Sequence, residues 1–320
     1  APPRGSLPPR FPRPLPRRPP PPAPPPMLHP IGSPRLVFGR GCSRIQDADR
    51  TADWCFASYA KKNGDLRSDQ IEQWRPGLQG VLERHRVELL PLLIAYLDLL
   101  DRASRVPHEA KLAVCFVDAG LYLYERHAEL AVDLAAPLLL MIDSPQLRHL
   151  SEYMARDQRK TRQRYIKTSL ESQHKARVER FVRRTERWTG ELNEAQVQEM
   201  EQAIGRIPDL SEHWIRFKEQ QTAGLLQLLE INADERLVRK YLSDWWIGFA
   251  QRSVEYDKDW TIAKHEFTNL LQKLGTSLTE RQREFLMQRI ASIRKDLASF
   301  QDPLQRPKQL PEILLCSSPV

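Results

Sequence analysis

Four times this chain repeats one short phrase: an aliphatic residue, then a glutamine four positions later. The instances are Leu66 and Gln70, Ile142 and Gln146, Leu192 and Gln196, and Leu278 and Gln282. The residues just after the aliphatic are Arg67, Asp143, Asn193 and Thr279. The last three carry a side-chain oxygen that can accept a backbone N–H at the start of a helix. The glutamine then falls on the third helical position, from which it can reach back to the cap residue's own N–H and complete a capping box. One position further on come Ile71, Leu147, Val197 and Arg283, and the three apolar ones can staple against the leading aliphatic. Each box contributes about 1 kcal/mol. The phrase fixes where helices begin and carries no catalytic chemistry. Spacings of 76, 50 and 86 residues between successive boxes exclude a regular solenoid period.

Between the boxes the apolar residues recur at helical spacing. Ile71, Trp74, Leu78, Val81 and Leu82 form one stripe, which Pro91 interrupts before Leu92 to Leu100 continue as helix. Pro107 suits the first turn of the next helix, which carries Leu112, Phe116, Leu121, Leu123 and Tyr124. From Arg177 to Glu230 the chain reads as helix, stop, restart, stop and restart, with stops at Gly190, Pro208 and Asn232. Two last helices are expected near 260–274 and 280–300. No run of alternating apolar and polar residues is bounded by hairpin turn signals, so the fold class is all-α: a multi-helix bundle of about eight to ten helices, elongated, behind a disordered tail. The expected organisation is a Pro/Arg-rich leader over 1–41, helical halves over 42–172 and 173–302 that meet near Gln173, and a loose tail over 303–320.

The leader holds 16 of the 26 prolines within residues 1–34 and is expected to be extended and polyproline-like. It reads as a ligand for proline-binding domains, as an uncleaved targeting arm, or as sequence upstream of the true start. The abrupt change of composition after Met27 favours the last. Seven arginines and no acid lie within residues 1–41, so the net charge of +8 falls to +1 for the rest of the chain, which weakens a nucleic-acid reading. No segment approaches the roughly 18 consecutive apolar residues of a membrane-spanning helix. The four cysteines, Cys42, Cys55, Cys115 and Cys316, are too far apart for a metal-binding pair and do not suggest a disulfide framework; Cys115 reads as a small core residue. Gly41-Cys42-Ser43 has the look of a bacterial lipoprotein's mature end, but only Leu36-Val37-Phe38 is apolar before it and Arg40 stands where a small or apolar residue belongs.

The order of several phrases carries a resemblance. Asp53-Trp54, Leu66 to Gln70, and Glu88-Leu89-Leu90-Pro91 come first. Ala136-Pro137-Leu138-Leu139 then leads into Ser144-Pro145-Gln146-Leu147. Arg183, Trp188, Leu192 and Gln196 come next, then Pro208, Trp214 and Gln220, and finally Leu278 to Arg283. Together, over about residues 42–300, they resemble a family of Gram-negative bacterial lipoproteins built on an all-helical domain of unknown function. The resemblance implies an acylated Cys42 as membrane anchor and a place on the periplasmic side of the cell envelope. It implies no catalytic residues. This chain departs from the pattern in lacking the apolar segment before Cys42, so either the start as written is wrong or this member is not lipidated; a native start would make it cytoplasmic.

No enzyme signature emerges. A di-iron bundle needs two Glu-x-x-His pairs and the chain has one, Glu171 and His174. There is no nucleophile elbow and no phosphate loop. We therefore expect no cofactor, no metal and no small-molecule substrate. A basic stripe stands out: Arg156, Lys160, Arg164 and Lys167 share one helical face, and Arg177, Arg180, Arg184 and Arg187 another. The row is a candidate anion-binding face for lipid headgroups or nucleic-acid phosphate, set against the reading of an ordinary solvated surface interrupted by Glu179 and Glu186. Of the adjacent Trp245 and Trp246, one should be buried and one near the surface. The expected function is a non-enzymatic envelope lipoprotein that serves as scaffold or interaction module for an unidentified protein partner. The alternative is a cytoplasmic nucleic-acid-binding protein using 156–187.

Overall fold

The computed structural model describes residues 52–106, 109–166, 169–301 and 309–316. Within them run α1 (Ala52–Gly64), α2 (Ser68–Arg84), a π-helical turn (His85–Leu89), α3 (Leu90–Arg105), α4 (Ala110–Leu140), α5 (Ser144–Tyr165) and α6 (Leu170–Thr189). Then come α7 (Glu194–Arg206), α8 (Ser211–Glu230), α9 (Glu235–Trp246), α10 (Val254–Ser277), α11 (Glu280–Ala298) and α12 (Glu312–Leu315). No strand occurs among the described residues, and the chain is an all-α bundle. The leader and Pro107 lie outside them.

All four phrases open helices, namely α2, α5, α7 and α11. The cap oxygens of Asp143, Asn193 and Thr279 accept from Gln146 N, Gln196 N and Gln282 N at 3.0, 2.9 and 3.3 Å. Arg67 has no acceptor to offer, so its box keeps only the return bond, Arg67 N to Gln70 Oε1 at 2.9 Å. The helix stops fall where the residues require them. Asp65 and Asn232 take left-handed backbone after α1 and α8, and Gly190 takes positive φ after α6.

The boxes also pair across the fold. Gln70 and Gln146 exchange amide hydrogen bonds of 3.0 and 2.7 Å, and Gln196 and Gln282 do the same at 2.9 Å each way. Each Nε2 makes a second bond to a carbonyl in the partner's turn: Gln70 to Met141, Gln146 to Asp65, Gln196 to Ser277 and Gln282 to Glu191. Every accepting carbonyl stands five residues before the partner glutamine. The four side chains are 3 to 7% exposed, and each satisfies two donors and two acceptor sites.

This pairing repeats one packing plan at two places in the bundle. In the first, α1 packs on α2 and α5 while α2 packs on α4. In the second, α6 packs on α7 and α11 while α7 packs on α10. The two places belong to one packed body, because α4 packs on α9 and α10, α3 on α11, and α5 on α8. Their largest shared core joins Ala128, Val132 and Ala136 of α4 to Trp214, Phe217, Leu225 and Leu229 of α8 and to most of the apolar face of α9.

Four expectations need correction. Pro91 does not break the helix: Leu90 N–H donates to His85 O five residues back, and this wider turn carries the rod through to α3. Trp245 and Trp246 are both buried, at 4% and 8% exposed, because α4 and α8 both pack against α9. Cys115 is no solitary core residue; it is disulfide-bonded to Cys316 across 201 residues, with the Cα atoms 5.7 Å apart. Cys55 is disulfide-bonded too. Finally, the segment around Glu312–Leu315 is docked rather than loose. Leu314 is 2% exposed among Leu89, Leu99, Leu112 and Ala119, and Arg102 Nη2 donates to Leu315 O at 3.0 Å.

Candidate functional site

The basic stripe splits into two parts with different fates. On α5, Arg156 is held by Glu152 at 3.3 Å, one turn back, and Lys160 and Arg164 are exposed. The opposite side of α5 is committed to α8: Arg162 reaches Glu212 and Glu219 at 3.1 and 3.2 Å, and Lys218 reaches Asp157 at 2.9 Å. Lys167 and Cys42 lie outside the described residues.

The α6 arginines mostly turn inward. Arg177 donates from Nη2 to the carbonyls of Ile207 and Pro208 at 2.8 and 3.3 Å, and its Nε lies 3.9 Å from Asp209. It thereby closes the turn between α7 and α8, whose exposed carbonyls need donors. Asp209 also accepts from Gln173 Nε2 at 2.7 Å and Ser211 N at 3.0 Å. Burial alone would push its carboxyl up; the Arg177 charge and these bonds outweigh it and hold Asp209 below the usual carboxylate range. Arg180 is buried at 9% exposed, with its guanidinium carbon 5.1 Å from the ring centre of Tyr165 at the end of α5. Arg187 stays exposed.

Arg184 is the anomaly. Its stem is half-buried, yet Nη1 and Nη2 are cut off from solvent with no hydrogen-bond partner. Burial pushes its guanidinium down to about 9; Tyr165 opposes this, and the cations Arg187 and Arg180 add to it. The nearby acids are spent elsewhere. Glu179 pairs with Arg183 at 3.3 Å, and Glu186 accepts from Leu192 N at 3.4 Å. The sequence marked these arginines by spacing alone. It gave no sign that their heads turn in towards Tyr165, since that depends on how α5 and α6 meet.

A second polar cluster left no mark in the sequence. At the π-turn, the His85 and His127 rings stand 5.4 Å apart edge to face, and His127 Nδ1 is 2.6 Å from Leu123 O. Burial holds His127 below the usual histidine range. Beside it, Asp133 is gripped by Arg84 at 2.6 Å and Arg239 at 2.7 Å, which ties α2, α4 and α9 together. Among the described residues, no group of three or more His, Cys, Asp or Glu is arranged to hold a metal ion, and no helix is long and apolar enough to cross a membrane.

Fold and cluster define a class: an all-helical bundle whose helix starts are locked in pairs by buried glutamines, with an arginine cluster where α5 and α6 meet. Residues 62–245 match DUF6279, a family of unknown function, over more than half of the chain, and the chain belongs to that family. The match ends within α9, so the fourth box and its glutamine lie beyond it although Gln282 pairs with Gln196 inside it. No curated protein and no solved structure matches the chain.

Proposed function

We propose that this protein is a non-enzymatic scaffold of the bacterial cell envelope, facing the periplasm. The observation that carries the reading is the Cys115–Cys316 disulfide, which pins the docked C-terminal segment to α4. Disulfides of this structural kind persist in oxidising compartments such as the periplasm and are rare in the cytosol. Two features support it. Trp54 on α1, the first described helix after Cys42, is 67% exposed, as suits a side chain near a membrane–water boundary. The buried glutamines are fully engaged in joining helices, which suits a rigid body that presents surfaces to an unidentified protein partner.

The test is fractionation of a Gram-negative host that expresses the protein, together with mass spectrometry of Cys115 and Cys316 under non-reducing conditions. The reading expects the chain in the envelope fraction with these two cysteines bonded to each other. A chain recovered from the cytoplasm with both thiols reduced defeats it.

A further inference from the structure

We propose that Arg184 and Arg187, backed by Arg180 and Tyr165, form a binding site for a phosphate group. The proposal does not rest on the envelope reading and stands on the folded chain alone.

The argument begins with unbalanced charge. Arg177 has Asp209 and two carbonyls; Arg183 has Glu179. Arg184 has nothing, although both its terminal nitrogens are removed from water. A buried polar group without a partner is costly, and a buried charge more so. A lysine or histidine in that position would shed its proton, but a guanidinium stays charged at neutral pH even when burial weakens its basicity. The protein's own carboxylates nearby are engaged, so an anion from outside would balance Arg184.

The geometry suits an oxyanion. Arg184 offers two Nη groups in a planar fork, which matches paired oxygens. Arg180 sits one turn back, its guanidinium fixed against Tyr165, and supplies charge without competing for the same ligand atoms. Arg187 stands three residues further on and is exposed. The Arg184 stem is only half-buried, so its head can turn out to meet a ligand while the helix stays in place. Arg180 and Arg187 lie close enough to act on the Arg184 charge, and this concentration of positive charge favours the higher charge of phosphate over a single carboxylate. The exposed Lys160 and Arg164 of α5, which lead up to Tyr165, extend the positive field towards a phosphate that approaches from solvent.

The experiment follows thermal unfolding of the full chain at constant ionic strength, replacing chloride by sodium phosphate. In parallel arms, the protein is floated with phosphatidylglycerol vesicles or with phosphatidylcholine vesicles. We expect a saturable rise in Tm with phosphate, with apparent affinity weakened about tenfold or more in Arg184→Met, the loss of one charge-assisted pair. Without phosphate, Arg184→Met should be at least as stable as the wild type, because it removes an uncompensated charge. Should that variant fail to fold, Arg187→Ala at the exposed position carries the test and should also weaken the phosphate response. Flotation with phosphatidylglycerol alone, lost in the same variants, assigns the phosphate to a lipid headgroup; a response to inorganic phosphate without flotation assigns it to a soluble ligand. No phosphate-specific shift in either arm, or a response unchanged in Arg184→Met or Arg187→Ala, overturns the site.

Discussion

Replacing Gln282 by alanine is the sharpest probe of how this bundle is joined. The Gln282 side chain makes four hydrogen bonds: it accepts from Thr279 N at 2.9 Å and Gln196 Nε2 at 2.9 Å, and donates to Gln196 Oε1 at 2.9 Å and Glu191 O at 2.7 Å. The cap bond from Gln282 N to Thr279 Oγ1 survives the change, since it uses the backbone. Four bonds at about 1 kcal/mol net each give a loss of about 4 kcal/mol. Gln196→Ala should cost a similar amount for the same reason. The two reciprocal bonds are broken by either variant, so the double variant breaks them once. The double-mutant cycle should therefore show a coupling of about 2 kcal/mol. By contrast, Gln146→Ala combined with Gln282→Ala crosses between separate pairs and should be additive within about 0.5 kcal/mol. Urea unfolding of the oxidised protein, tracked by far-UV circular dichroism, measures all of these. A coupling between Gln196 and Gln282 below about 0.5 kcal/mol refutes the lock.

Three further outcomes rest on particular contacts. A Cβ on Gly224 would overlap Tyr241 Oη, which donates to Gln221 O at 3.0 Å, so Gly224→Ala should destabilise by about 1–3 kcal/mol in urea unfolding, and Tyr241→Phe should recover part of that. Cys316→Ser opens a loop of 201 residues and should lower stability by up to about 5 kcal/mol on the chain-entropy account, with proteolysis near Glu312–Leu315 as a second readout. His127 binds its proton more weakly folded than unfolded, so the unfolded chain takes up more protons as the pH falls through the ordinary histidine range near 6.5. Its stabilising effect is complete above that range and is lost below it. Stability measured from pH 7 down to pH 5 should decline, and His127→Gln should flatten the slope.

Local signals were legible in the sequence and long-range ones were not. The four boxes, the stops at Gly190 and Asn232, and the all-α class were readable because each depends on neighbours within one or two turns. The exchange between Gln70 and Gln146 was not, because 76 residues separate them and nothing in either box specifies a partner. The same limit hid the Cys115–Cys316 bond. Inward-turned arginines were hidden for another reason. Periodicity assigns Arg177, Arg180 and Arg184 to one side of α6 but says nothing about what covers that side, and here Tyr165 and the turn between α7 and α8 do. Pro91 misled because a proline's missing donor can be absorbed by a π-turn as well as by a break.

The family match stops at residue 245, yet the physical unit extends past it, and a truncation decides between the two. A chain ending at 245 loses α10, α11 and α12, and with Cys316 the bond to Cys115. Gln196 would keep its bond from Asn193 N and lose its three others, to Ser277 and Gln282. The core among α6, α7 and α10 would lose Ala263, Leu270 and Leu274, and the cluster against Leu97 would lose Leu278, Leu286 and Ile290. Tyr256 would leave the central cluster as well. Five large aliphatic side chains and a tyrosine, at about 1.5–3 kcal/mol each, sum to about 9–18 kcal/mol, which matches or exceeds the whole stability of an ordinary domain. Residues 52–245 should therefore lack a cooperative urea transition and be cut by protease within α6 and α7, whereas residues 52–316 should unfold cooperatively. A sharp transition in the shorter chain would mean that the second glutamine pair decorates the fold and does not hold it.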